Sequence, residues 1–263
     1  MADILSLVFR TYMHKKALKE AGSGVVVPAS TVLVGEQSIS RSVLMLAAVT
    51  AASHMGMRVM FFTHTRIQSL PPSLQRCVPN LSPESLKKIQ FSYPRTVEEL
   101  LQQVASLHES TNTSPAPPSL IIVDRLECFL RSHSRFPQGE QSCAAHVCAL
   151  LCDAAAFFSQ KLESQGSSSG PCRLITSFLP EAHAEKAEGG PSATDPVLDV
   201  LDRYFEVRCT LDPDRGYGAT AAGAAELWSV YLSGRGLAKD RVGVTQEWQL
   251  FVFPDALMEF KLV

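Results

Sequence analysis

The sequence predicts an α/β fold: a mainly parallel central sheet with helices on both faces, followed by antiparallel strands near the C-terminus. Three observations predict it. Short, nearly all-apolar runs alternate with longer amphipathic segments, as expected for strands buried on both faces and joined by helical crossovers. A strand, a polar turn opening with glycine and a helix follow one another in "STVLVGEQSISRSVLML", residues 30–46. Two late segments, "ELWSVYLSG" and "QEWQLFVF", read as antiparallel strands around a glycine-containing loop.

The elements follow in order. Residues 4–18 place Ile4, Leu5, Val8, Phe9, Tyr12 and Met13 at helical spacing, predicting an amphipathic N-terminal helix within a segment 1–22 that precedes the core at 23–263. "VVVPASTVLVG" predicts the first core strand. A loop over residues 36–42 and a helix from Val43 to about His54 come next, then the strand "RVMFFTHT". "TVEELLQQVASLHES" predicts a helix with Thr96 as N-cap and Glu99 completing a capping box. After the Pro-rich connector "TNTSPAPPS" comes "LIIVD", an apolar run ending in an acid. A long helix is predicted over about 140–163, and then the strand "RLITSFL". Residues 180–195 have the Ala/Glu/Gly/Ser/Pro composition of a loop, and "YFEVRCTL" predicts a further strand.

The chain has 263 residues, 46% of them apolar, enough for a sizeable core. Its net charge of −2 supplies no global attraction to nucleic acid, so any such contact needs a local patch. No uninterrupted apolar run approaches the ~18 residues of a membrane span, and no membrane association is expected. Seven cysteines without framework spacing favour reduced thiols. Cys143, His146, Cys148 and Cys152 invite a zinc reading, but on one helix Cys143 points away from Cys148 and Cys152, so no metal site is expected.

The chemistry-bearing pattern is a degenerate phosphate loop. In G-x-x-x-x-G-K-[ST], glycines let backbone N–H groups close around phosphate, the lysine reaches the outer phosphates and the hydroxyl ligates magnesium. Here Gly35 and Ser42 match, whereas Ser40 replaces the second glycine and Arg41 the lysine. Asp124, closing "SLIIVD", stands where a strand-end carboxylate would hold magnesium through water. The two half-motifs, in the correct order on the correct elements, predict descent from a nucleotide-binding protein.

With these motifs, and with "LKKIQFSYP" at 86–94 and "PSLIIVDRLECFL" at 118–130, the chain resembles the RecA-type recombinase paralogues, in particular those that work with a SWIM-type zinc-finger protein in the Shu complex. The resemblance covers about residues 25–210. It implies a RecA-like P-loop core in the nucleus, acting in homologous recombination with three partners: a SWIM-domain zinc-finger protein, a RecA-type recombinase and single-stranded DNA. ATP with magnesium at Gly35, Ser40, Arg41, Ser42 and Asp124 is the cofactor it implies. Several departures argue against efficient turnover. Thr65 or Arg66 stands in place of the glutamate that activates water in active recombinases, and Ser177 with Phe178 replaces the polar pair that senses the γ-phosphate. His64 offers a substitute base at most. The expectation is a non-catalytic or weakly catalytic scaffold, with a DNA-stimulated ATPase as the alternative.

The resemblance also locates DNA contacts in the loops that follow the two strand ends. The first is "RSHSRFPQG", with Arg131, His133, Arg135 and Phe136 placing cations beside an aromatic ring. The second, residues 180–196, carries three glutamates and one lysine and makes a poor phosphate surface. Arg235, Lys239 and Arg241 form a further candidate. Recombinases lend an aromatic-anchored N-terminal segment to a neighbour, so Phe9 and Tyr12 are docking candidates, with packing on their own core as the other reading.

Overall fold

The computed structural model describes residues 4–13, 30–110, 117–131, 137–166, 170–180, 195–214, 223–234 and 246–263. Among them nine strands form one sheet in the order β3-β2-β4-β5-β1-β6-β7-β8-β9. The strands are β1 (Ser30–Val34), β2 (Val59–Thr63), β3 (Ile89–Ser92), β4 (Leu120–Asp124), β5 (Arg173–Phe178), β6 (Val207–Pro213), β7 (Glu226–Ser233), β8 (Gln246–Val252) and β9 (Met258–Leu262). Pairing is parallel from β3 to β6 and antiparallel from β6 to β9. The expected mainly parallel RecA-like sheet with an antiparallel C-terminal extension is therefore present.

Alternation along each strand feeds two cores. In β4, Leu120 and Ile122 face one side, whereas Ile121 and Val123 face the other. The first side packs against α1 (Ile4–Thr11) and α2 (Gln37–His54); the second packs against α5 (Val97–Ser110), α6 (Leu126–Arg131), α7 (Pro137–Ser164) and α8 (Pro196–Tyr204). Short helices α3 (Pro72–Cys77) and α4 (Pro83–Leu86) link β2 to β3, each with proline at its start, where the missing N–H costs nothing. Helix α2 is buried almost all round from Val43 to Ala52, and its four alanines there let it lie close to the sheet. Residues Gly139–Ser164 of α7 are, by length and composition, apolar enough for a membrane span. Here Ala144, Val147, Cys148, Leu151, Phe158 and Leu162 on that helix belong to the second core.

Several boundaries differ from expectation. The N-terminal helix stops at Thr11, because Met13 turns extended and bridges Phe260, whose N–H donates to the Tyr12 carbonyl at 2.9 Å. Helix α2 begins at Gln37 rather than Val43, a shift with consequences for the phosphate frame. Helix α5 has the expected cap, with the Glu99 N–H donating to Thr96 Oγ1 at 3.3 Å, but the Glu99 carboxylate reaches back to the Arg95 N–H rather than to that of Thr96. Helix α8, absent from the sequence reading, starts on Asp195, whose carboxylate accepts from the Val197 N–H at 2.9 Å with Pro196 at the first helical position.

Candidate functional site: the carboxyl ends of β1, β2, β4 and β5

Ligands of open parallel sheets bind beyond the carboxyl ends of the strands, and the degenerate motif lies there. Strand register sets Thr63 beside Asp124, while Leu33 and Val34 of β1 lie beside Ser177 and Phe178 of β5. The side chain of Asp124 is fully buried. A buried carboxylate must find a cation or several donors, and this one finds both. Its Oδ2 accepts from Arg41 Nε at 2.9 Å, from Arg41 Nη2 at 2.8 Å and from Thr63 Oγ1 at 2.9 Å. Its Oδ1 accepts from Ser177 Oγ at 3.3 Å. Arg41, 21% exposed, also donates to Thr63 Oγ1 at 3.4 Å.

The glycine-led turn has a different form from a phosphate cradle. The expected loop over 36–42 is corrected to a single turn residue, Glu36, before helix α2. The Ser40 N–H donates to the Glu36 carbonyl at 3.0 Å, so Ser40, Arg41 and Ser42 are already helical. Without a second glycine nothing bends the backbone out of the helix, and no residue from Gly35 to Ser42 has positive φ. Gly35 itself answers to packing. A Cβ there would lie 2.8 Å from Leu211 Cβ and 3.1 Å from the Leu211 carbonyl oxygen. The Ser42 hydroxyl donates to the Ser38 carbonyl and accepts from Ser73 Oγ of α3, both at 3.0 Å. Ser40 Oγ is buried without a hydrogen-bond partner.

These residues do not fit a magnesium nucleotide as arranged. The carboxylate already carries a cation within hydrogen-bonding distance, and the hydroxyl that would ligate magnesium is held by α3. The Gly35 N–H is spent on the Phe178 carbonyl and the Ser40 N–H on that of Glu36, so neither amide closes on a phosphate. The expected positions are thus brought together differently: Gly35, Ser40 and Ser42 serve the strand–helix junction, while Arg41 and Asp124 serve each other. Thr63, Ser73 and Glu127 were not foreseen as partners; Thr63 closes the apolar run "VMFF" as Asp124 closes "LIIV", which was the available signal for the first. Thr65 and Arg66 are exposed beyond β2, and exposed His64 sets its ring 5.9 Å from that of Phe129.

The other candidates divide. Arg131, exposed at the end of α6, donates to the Leu179 carbonyl at 3.0 Å. His133, Arg135, Phe136, Arg235, Lys239 and Arg241 lie outside the described residues. Phe9 is fully buried in its own chain, stacked on Phe260 with centroids 4.6 Å apart and tilted against Trp248 at 5.5 Å. Tyr12 is half-buried against Thr50, its hydroxyl 3.5 Å from Thr50 Oγ1. Phe9 therefore clasps α1 to β8 and β9 of the same molecule, while Tyr12 meets α2. Cys148 is fully buried, and desolvation pushes its thiol up to about 12. Among the described residues no group of three or more His, Cys, Asp or Glu is placed to share a metal ion.

No protein-family model matches the chain. It is 36% identical to ATPase SWSAP1 of Mus musculus over 199 residues, which cover 75% of this chain and 63% of the mouse protein. It is 34% identical to ATPase SWSAP1 of Homo sapiens over 184 residues, covering 69% of this chain and 71% of the human protein. The match thus spans less than two thirds of the mouse relative's length and somewhat more of the human one. On that similarity, with the RecA-like sheet and the paired remnants of its phosphate frame, the chain belongs to the SWSAP1 family.

Proposed function

We propose that this chain is a non-catalytic RecA-like scaffold of homologous recombination, working in the nucleus with a SWIM-domain zinc-finger protein, binding single-stranded DNA and supporting a recombinase filament. The observation that carries the non-catalytic part is the closure of Arg41 on Asp124. A carboxylate that already holds a guanidinium on one oxygen and a serine hydroxyl on the other has its charge balanced without magnesium, and no carboxylate stands at Thr65 or Arg66 to activate water. Family membership supports the pathway, and the cation-rich segment that begins at Arg131 supports contact with a single strand.

The test is co-purification with a SWIM-domain zinc-finger protein, followed by titration of a labelled single strand at increasing salt. The reading expects a stable complex and binding that weakens steeply with salt, without any requirement for nucleotide. A monodisperse chain that ignores both the partner and the single strand would sink it. The designation of both relatives as ATPases favours a second reading, a DNA-stimulated ATPase of the same pathway. Phosphate release above that of an Asp124→Ala control would establish that reading.

A further inference from the structure

Asp124 is the first link of a relay that leads away from the phosphate frame. Ser177 Oγ donates to Asp124 Oδ1 at 3.3 Å and accepts the Arg125 N–H at 2.8 Å. Arg125 sits at the join of β4 and α6 with φ of 60°, a left-handed conformation that a non-glycine residue keeps only where its surroundings fix it. Its Nε pairs with Glu127 Oε1 at 3.2 Å, and the other oxygen of this buried carboxylate accepts the Leu179 N–H at 3.2 Å. Arg131 holds the carbonyl of the same residue. Both backbone polar groups of Leu179, the first residue past β5, are thus gripped by α6.

A ligand shifts such a network only through different affinities for its alternative states. If Asp124 drew its cation from solution, its charge balance, and with it the grip of Ser177, would follow nucleotide and divalent cation. Here the cation is covalently part of α2 and held at 2.8–2.9 Å. We propose that Arg41 is a built-in counter-ion that keeps the Asp124–Ser177–Arg125–Glu127–Leu179 relay closed, so that the chain leaving β5 is positioned by the polypeptide and not by nucleotide or magnesium. Arg41 is a positioning residue in this scheme. The inference rests on the reading that Asp124 does not take a magnesium nucleotide.

Amide hydrogen exchange of the full-length protein, compared in EDTA and in Mg-ATP, tests it. The expected result is identical protection of Arg125 and Leu179 in both conditions. In Arg41→Ala, exchange at Leu179 rises tenfold or more while Trp248 and Leu250 in β8 are unchanged. Protection at Leu179 that responds to Mg-ATP in the wild type overturns the inference, as does an Arg41→Ala protein whose Leu179 exchanges within twofold of wild type. Should Arg41→Ala not fold, Glu127→Ala removes only the last link: a tenfold rise at Leu179 is expected, and no rise overturns the relay. Mg-ATP that binds in calorimetry yet leaves Leu179 unchanged overturns the reading of the site and leaves the relay standing. Loss of single-strand binding alone overturns only the proposed function.

Discussion

The two halves of the phosphate frame have changed in opposite ways. Asp124 keeps its place at the carboxyl end of a buried parallel strand, fully desolvated. The Gly35–Ser42 half keeps a glycine, a cation and a hydroxyl but not the loop that gave them their roles. The difference follows from cost. A buried carboxylate without a counter-charge is expensive, so the cation must remain and must point at it. A glycine-rich turn without phosphate has no such constraint, and residues with ordinary helical preferences let the helix grow back toward the strand.

That contrast can be broken or sharpened by substitution. Removing the cation should cost most. Arg41→Ala leaves Asp124 buried and unpaired, and because the guanidinium is partly exposed the expected loss is about 2–3 kcal/mol, below the roughly 3–5 of a fully buried pair; urea denaturation measures it. Gly35→Ala should cost about 1–3 kcal/mol, since its Cβ would meet Leu211 and β1 and β6 would have to shift apart. A loss near zero would return Gly35 to a phosphate-binding rationale. Ser42→Ala should cost only about 0.5–1.5 kcal/mol through the Ser73 contact, and wild-type stability in Ser42→Thr would confirm that the hydroxyl bonds within the fold.

The smallest effect is a pH slope at Glu127. Burial raises its pKa above the ordinary carboxylate value, outweighing the hydrogen bonds from Leu179 and Arg125 that lower it. A carboxyl that binds its proton more tightly when folded adds stability below its unfolded pKa and loses that contribution as pH rises through the folded one. Relative to Glu127→Gln, the wild type should therefore lose stability as pH rises from about 4 toward neutrality. Urea midpoints across that range read the slope, and a slope of opposite sign would refute the assignment.

Much of the fold was legible because burial on both faces forces unbroken apolar runs. "STVLV", "VMFFT" and "LIIVD" became β1, β2 and β4, and the late pair β7 and β8 joined antiparallel as expected. Besides β3 and the short helices α3, α4 and α6, strand β9 and helix α8 were missed. The first alternates apolar and polar residues over only a few positions, and the second sits behind a loop whose Asp195-Pro196 start signal is brief. In the site, the positions of Gly35 and Asp124 were legible, because strand ends are fixed by the runs that precede them. The direction of Arg41 was not. It depends on where α2 begins, and "EQSIS" carries no apolar period strong enough to place that start. The aromatic positions near α1 were equally ambiguous: Phe9 could serve a neighbour or its own core, and within the chain it stacks on Phe260.

Arg41, and not a metal ion, is the counter-ion proposed for Asp124. Isothermal titration of the purified chain with Mg-ATP tests it most directly. No saturable heat is expected up to millimolar nucleotide, in the wild type and in Asp124→Asn alike. A one-to-one binding isotherm that requires magnesium and disappears in Asp124→Asn would contradict it.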